Sequence, residues 1–213
     1  MRSLTRWPTR TEAWALLIAL AGLLGAAAPA TDDATKPASQ QPPAKRAGQD
    51  YSPFPNPDSG YVTDLAGLLS KDEEERIERW LWRIESKTQV EIIVLTLGSI
   101  ADYPETPNQS IEAFATGLFN AYGIGNKPRN HGVLLLVARK DRKVRIELGA
   151  GYSRDRDADA AGIIQEGILP HFREDEYAEG IIEGVRAIMR EFAGVKGGLL
   201  RFVNAAIATL SDF

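Results

Sequence analysis

Two apolar runs constrain the fold of this chain more than any other feature. Residues 90–97 and 133–138 are apolar on both faces of the strands that they predict, so both sides of those strands must be covered. Between the two runs, residues 110–122 carry apolar side chains at the spacing of one helix face. A helix that joins two buried strands places them side by side and parallel in the middle of a sheet.

A third strand is predicted at residues 143–148, directly after the charged turn of residues 139–142. Its apolar residues Val144, Ile146 and Leu148 alternate with charged ones, which indicates an edge strand with one solvated face. Because the turn is short, this strand returns antiparallel, as a hairpin. The pattern therefore predicts an α/β fold: a three-layer α/β/α sandwich with a small mixed sheet, two central parallel strands and an antiparallel edge hairpin.

Three further helices complete the predicted layers. The first begins with a capping box at residues 70–73. The second covers residues 157–169 and is expected to stop at the proline that follows. The third covers residues 175–192, where Gly180 and Gly184 lie one turn apart and would let the helix approach the sheet closely.

The start of the chain predicts export. Residues 1–30 combine an arginine-bearing leader, a charge-free apolar run and the small residues Ala28 and Ala30, which together are typical of a secretory signal peptide. The alternative is an uncleaved membrane anchor, but the apolar run is shorter than the roughly 20 residues that span a bilayer. We expect a periplasmic or secreted protein, in which Thr31 is the first residue after cleavage.

The remaining boundaries follow from composition. Residues 31–59 are rich in Pro, Ala and Gln, which predicts a disordered linker, although its proline-stiffened end at residues 51–57 could lie along the domain. The folded domain is expected at residues 60–194. Residues 195–213 form an amphipathic tail that either docks on the domain, the alternative that we favour, or makes a peripheral contact with a membrane surface.

Composition excludes several classes of function. The absence of cysteine removes disulfides, thiolate metal sites and thiol nucleophiles, and His131 and His171 are too far apart in the sequence to form a ligand pair. The formal net charge is −4 with basic and acidic residues interleaved, so nucleic acid is not an expected partner. Gly123-x-Gly125 follows a predicted helix, and Gly149-x-Gly151 follows a strand but lacks a third glycine. Neither pair therefore has the context of a dinucleotide-binding fingerprint, and no dinucleotide cofactor is expected.

Several short motifs, in a fixed order, resemble the TPM domain family, which is named after thylakoid-lumen, photosystem-repair and receptor-modulating members. The resemblance covers about residues 61–192, and the combination is far more specific than any single motif. The motifs are Val62-Thr-Asp64, Ala66-Gly-Leu-Leu69, Tyr122-Gly-Ile-Gly-Asn126, Asn130-His-Gly-Val-Leu-Leu-Leu136, Asp141-Arg-Lys-Val-Arg-Ile-Glu147, Gly149-Ala-Gly-Tyr152, Asp157-Ala158, Ile168-Leu-Pro170 with Phe172, and Gly180 with Gly184.

The resemblance implies an exported or lumenal α/β sandwich that is often membrane-associated. Calcium binding is known in the family, and acid phosphatase activity has been reported for a plant member. Asp64, Asp141 and Asp157 match the recurring acidic residues of the family and are therefore the implied ligands of Ca²⁺ or another divalent cation.

The predicted strand order supports Asp64 and Asp141 as ligands of the cation. Asp64 and Asp141 are expected beyond the carboxyl ends of neighbouring strands, at the edge where open α/β sheets bind ligands. Asp157 would join them only if residues 149–156 fold back to that edge. The alternatives are an Asx turn for Asp64, a turn position for Asp141 and an N-cap for Asp157.

Two functions follow. The first hypothesis is an exported, divalent-cation-binding envelope factor that assists assembly or maintenance of a membrane-associated protein partner. The alternative is a metal-dependent acid phosphatase that acts outside the cytosol, with Arg139 and Arg142 as phosphate-binding residues. The same arginines could instead belong to a solvated hairpin turn. The sequence contains no recognisable nucleophile motif, which favours the first hypothesis.

Overall fold

A four-stranded mixed sheet forms the middle of the domain, with its strands in chain order. The structure is a computed structural model that describes residues 46, 48–57, 60–125 and 128–195. The strands are β1 (Val62–Asp64), β2 (Glu91–Leu97), β3 (Gly132–Ala138) and β4 (Lys143–Leu148). The first three are parallel, and β4 pairs antiparallel with β3. The predicted central pair and edge hairpin are confirmed, whereas β1 is an additional edge strand too short for its pattern to reveal.

Helices cover both faces of the sheet. They are α1 (Lys71–Thr88), α2 (Ile111–Tyr122), α3 (Arg156–Gly162), a π-helical segment (Ile163–Ile168), α4 (Leu169–Arg173) and α5 (Tyr177–Phe192). The capping box at the start of α1 is confirmed, because the Ser70 amide donates to Glu73 Oε2 at 2.8 Å. Gly123 ends α2 in the left-handed region at φ +61°, where glycine is favoured.

The pairing register of the strands shows which helices cover each face of the sheet. Val94, Leu135 and Ile146 are paired positions on one face of the sheet, where Gly184 of α5 lies against Leu135 and α1 packs beside α5. On the other face, α2 contacts β4, and its Thr116 hydroxyl donates to Glu147 at 2.7 Å. The predicted three layers are therefore present. No helix in the described part of the chain has the length and apolar character needed to cross a bilayer.

The helical segment after β4 does not stop at Pro170 as the sequence predicted. It continues to Arg173, because the π-helical segment ends directly before Leu169 and the proline falls in the first turn of α4. At the junction the Leu169 amide donates to Ile164 O, a bond that is one residue wider than in an α-helix. Pro170 has no amide hydrogen to donate, and it lies directly after this wide turn within the continuous helical segment.

Gly180 and Gly184 serve a different contact from the one predicted. A Cβ atom on Gly180 would lie 2.7 Å from the Phe172 ring, and one on Gly184 would lie 2.6 Å from Ile168 Cδ1. The nearest sheet atom to Gly184, in Leu135, would be 3.7 Å away. The two glycines therefore bring α5 close to the preceding helical segment first and to the sheet only second.

The described end of the linker packs on α2. The Tyr51 ring lies 4.7 Å from the Tyr122 ring, and the Phe54 ring lies 5.5 Å from that of Phe114. Arg46, further back, is 4% exposed. The predicted signal peptide, most of the predicted linker and nearly all of the predicted tail fall outside the described residues.

Candidate ligand-binding edge of the sheet

Asp64 lies at the carboxyl end of β1 and organises the turn into α1. Its Oδ2 accepts a hydrogen bond from the Leu69 amide at 2.8 Å, and its Oδ1 accepts one from the Thr96 hydroxyl. The Thr96 hydroxyl in turn accepts from the Ala66 amide at 3.1 Å. Both carboxylate oxygens of Asp64 are thus already hydrogen-bonded, but the amide that donates is that of Leu69, five residues on, and not the amide two residues on that would form an Asx turn.

Asp141 holds the β3–β4 hairpin against the end of β2. Its Oδ1 accepts from the Ser99 hydroxyl at 2.7 Å, and its Oδ2 accepts from the Ile100 amide at 2.9 Å. Ser99 also caps the short 3-10 turn that follows β2, because its hydroxyl accepts from the Ala101 amide at 3.1 Å. The side chain of Asp141 therefore fixes the position of the turn that carries Arg139 and Arg142.

The three candidate carboxylates do not meet. Asp64 and Asp141 lie at the same edge of the sheet, as expected from the parallel strands. Asp157 lies near the opposite edge, as the contacts of the preceding residues show. The amide of Gly151 donates to Asn130 O just before β3, and Arg156 contacts Glu191 near the end of α5. Residues 149–156 therefore do not fold back. Within the described ranges, no three His, Cys, Asp or Glu side chains are grouped so that they could hold a metal ion.

Arg139 and Arg142 line one open cleft of about 360 Å³, which we call the cationic cleft. It lies between the β3–β4 hairpin and the α4–α5 turn. Lys143 and Arg173 add two more cationic side chains to its wall. The other lining residues are Val137, Ala138, Leu169, Phe172, Asp175 and Tyr177. Sequence reasoning found Arg139 and Arg142 from their place beside Asp141, but Arg173 comes from a distant helix and carried no local signal.

The Arg139 side chain of the cationic cleft is held against an aromatic ring of the cleft wall. The Cζ atom of Arg139 lies over the Tyr177 ring, 5.3 Å from its centroid. The backbone amide of Arg139 donates to Leu97 O at 3.0 Å. Arg142 adopts φ +52° in the left-handed region, a conformation uncommon for a side-chain-bearing residue. Among the residues that the structure describes, none of the four cationic side chains forms an ion pair.

The opposite edge is packed rather than open. A Cβ atom on Gly151 would lie 2.1 Å from Arg129 O, and one on Gly149 would lie 2.2 Å from Asn130 O. The Tyr152 ring fills this region between the rings of His131 and Phe192, at 5.1 and 5.3 Å. Burial raises the pKa of Tyr152 to about 12, and the nearby positive charge of Arg156 opposes that rise. The glycine motif at this edge therefore has a structural role in close backbone packing.

The family model described as TPM domain matches residues 62–191. The solved N-terminal domain of a protein from P. gingivalis is 40% identical, with a TM-score of 0.53, over 62% of this chain and 82% of that one. The N-terminal domain of a Corynebacterium glutamicum protein is 16% identical, with a TM-score of 0.48, over 68% and 89%. A protein from Bizionia argentinensis is 23% identical, with a TM-score of 0.45, over 58% and 83%. No curated protein matches the chain.

Proposed function

This chain belongs to the TPM domain family, and we propose that it works outside the cytosol as a binding factor that assists assembly or maintenance of a membrane-associated protein partner. The signal-peptide pattern of residues 1–30 supports export. The observation that carries the proposal is the shared position of Asp64 and Asp141 at the carboxyl edge of the parallel strands, where α/β sheets bind ligands.

A divalent cation is the ligand that we propose for this edge. Asp64 and Asp141 would each supply a carboxylate oxygen, and neighbouring hydroxyl groups, carbonyl groups and water would supply the rest of the six to eight oxygens that Ca²⁺ takes. Because both carboxylates already accept internal hydrogen bonds, binding would compete with those bonds. We therefore expect weak binding, of the kind found in extracellular calcium modules, with dissociation constants on the order of 10⁻⁴–10⁻³ M.

A calcium titration of the melting temperature tests the cation site. Binding to the folded state stabilises it by mass action, by about 2.7 kcal/mol at a hundredfold excess over the dissociation constant. Calcium should raise the melting temperature of the unmodified chain, while Asp64→Asn and Asp141→Asn should reduce the rise. These variants keep the side-chain size and remove the charge. An unmodified chain that is indifferent to millimolar calcium and magnesium would remove the cation from the proposal.

Acid phosphatase activity remains a second candidate because one observation favours it: four cationic side chains line a cleft beside Asp141. They could neutralise the phosphate charge while a water oxygen bonds to phosphorus and the alcohol oxygen departs with a proton. Among the residues that line the cleft, Asp175 is the one carboxylate and thus the candidate base. Release of phenol from phenyl phosphate, with and without added cation, measures this activity, and Asp175→Asn should abolish it.

A further inference from the structure

The cationic cleft differs in charge from the rest of the molecule. The chain has a formal net charge of −4, whereas the cleft wall carries four cationic side chains against the single carboxylate of Asp175. Elsewhere in the described part of the chain, arginines such as Arg145 and Arg190 form ion pairs at 2.8 and 2.9 Å. A local excess of positive charge in a concave site is suited to an anionic ligand, although the charge of Lys143 also acts on the Glu112 carboxylate outside the cleft.

The cleft is positioned by rigid parts of the fold. Asp141 anchors the hairpin to Ser99 and the Ile100 amide, so Arg139 and Arg142 extend from a fixed turn. The Tyr177 ring holds the Arg139 guanidinium from one side, which reduces the freedom that binding would have to remove. Tyr177 is also the first residue of the 16-residue helix α5, so this part of the cleft wall is held by a regular element.

The wall of the cleft is only partly polar. Leu169, Phe172 and Val137 line it together with Tyr177, and the Phe172 and Tyr177 rings lie 5.0 Å apart. Guanidinium groups match the oxygens of a phosphate group by paired hydrogen bonds, and the aromatic rings offer contact area for an apolar body attached to it. The volume of about 360 Å³ lies at the small end of the range for small-molecule sites.

We propose that the cationic cleft recognises a phosphate group carried on an apolar or aromatic body, and that this recognition requires neither the cation nor hydrolysis. The ligand could be the headgroup of an anionic lipid or a soluble phosphate ester, since both present the same chemistry. This inference deepens the second candidate function, because it concerns the same cleft, but it does not depend on turnover.

Binding of phenyl phosphate to the whole chain, measured by calorimetry in the presence of EDTA, tests the proposal. We expect saturable binding that is tighter than binding of inorganic phosphate and weaker at high salt. Arg142→Gln and Arg173→Gln should each weaken it about tenfold, the loss of one charge-assisted contact. Tyr177→Leu should remove the preference for phenyl phosphate over inorganic phosphate. Exposed side chains change in the two arginine variants, so their melting temperatures should stay close to that of the unmodified chain.

Arg79→Gln is the matched control. Arg79 lies on α1, its side chain is 42% exposed, and its removal changes the net charge by the same amount. No saturable binding by the unmodified chain, or equal weakening by Arg79→Gln and Arg142→Gln, would overturn the proposal. Phenol release in the same samples separates the two ideas: binding without release keeps the recognition site and contradicts the phosphatase.

Vesicle flotation identifies the source of the phosphate. Vesicles of phosphatidylcholine, with and without phosphatidic acid, are mixed with the chain. Flotation only with phosphatidic acid, reversed by phenyl phosphate and weakened by Arg142→Gln, assigns the site to a lipid headgroup. Binding of phenyl phosphate without flotation assigns it to a soluble ester. Flotation that Arg142→Gln and Arg173→Gln leave unchanged shows that another surface contacts the membrane and contradicts a role for the cleft there.

Discussion

Arg46 Nη2 donates a hydrogen bond to Glu91 Oε1 at 2.7 Å, and the two side chains are 4% and 1% exposed. The same guanidinium donates to Tyr122 O at 3.2 Å and to Gly60 O at 3.3 Å, while Glu91 Oε2 accepts from the Gly125 amide at 2.7 Å. A residue from the predicted linker therefore completes a buried polar network at the start of β2.

Removing Arg46 should destabilise the domain. Arg46→Met leaves the buried carboxylate of Glu91 without this partner, and breaking a buried ion pair from one side typically costs about 3–5 kcal/mol. Denaturant unfolding at neutral pH measures the loss. Arg79→Met, which breaks an exposed pair on α1, should cost less than about 1 kcal/mol. Equal stability of the Arg46 variant and the unmodified chain would show that the ion pair between Arg46 and Glu91 contributes nothing to folding.

The capping box of α1 should make stability depend on acid pH. Hydrogen bonds from the Ser70 amide and hydroxyl hold the pKa of Glu73 below its ordinary value. A depressed folded-state pKa contributes stability that is present above the unfolded pKa and is lost as the pH falls through the folded pKa. Glu73→Gln should therefore be less stable than the unmodified chain at pH 7, and the two should converge in strong acid. A constant difference across this range, measured by urea unfolding, would contradict this assignment.

Gly184→Ala should destabilise the domain although alanine is the better helix former. The added Cβ would lie 2.6 Å from Cδ1 and 2.8 Å from Cγ1 of Ile168, a fully buried side chain. Overpacking of this kind costs about 1–3 kcal/mol. Gly162→Ala is the control, because its added Cβ would meet no atom within 4 Å apart from its chain neighbours and the adjacent backbone of its own helix. This variant should be neutral or stabilising by about 0.4–1 kcal/mol. The melting temperatures of both variants show whether overpacking or the better helix propensity of alanine dominates at each position.

Asp141→Ala and Asp157→Ala should differ in their effects on stability and on the calcium response, because the two residues lie at opposite edges of the sheet. The first leaves the Ser99 hydroxyl and the Ile100 amide without their acceptor, at a cost of about 1–3 kcal/mol. The second changes an exposed side chain and should stay within about 0.5 kcal/mol. In the calcium titration, Asp157→Ala should keep the full rise in melting temperature. A loss of that rise in Asp157→Ala would mean that the cation binds at the other edge.

Export should remove the first thirty residues. Ala28 and Ala30 are the small residues that follow the apolar run, so the processed chain should begin at Thr31. N-terminal sequencing of protein recovered from outside the cytosol checks this. Intact chains that begin at Met1 in a stable membrane fraction would instead indicate an uncleaved anchor.

Local patterns predicted most of the elements correctly. The capping box located α1, the apolar spacing of residues 110–122 located α2, and the two apolar runs became β2 and β3. The two errors have different causes, one local and one tertiary. The three residues of β1 are too few to show a period, and the wide helical turn before Pro170 depends on packing against α5.

The candidate site was less predictable. Asp64 and Asp141 could be assigned to one edge because the order of parallel strands fixes where each strand ends. The position of Asp157 could not be predicted, because the path of residues 149–156 depends on backbone contacts with residues 129–132. Arg173 could not be predicted because it joins the cleft from a different helix.

The sequence by itself determined the α/β class and the central parallel strands, because hydrophobic periodicity and capping act over short stretches of chain. The family and its acidic residues followed from the motif resemblance, and strand order then assigned Asp64 and Asp141 to one edge. Only the tertiary structure decided which charges meet. It separated Asp157 from Asp141, buried Arg46 against Glu91, and brought Arg173 to Arg139 and Arg142. Contacts between residues distant in the chain depend on how whole elements pack on one another, and no local pattern in this sequence encodes that packing.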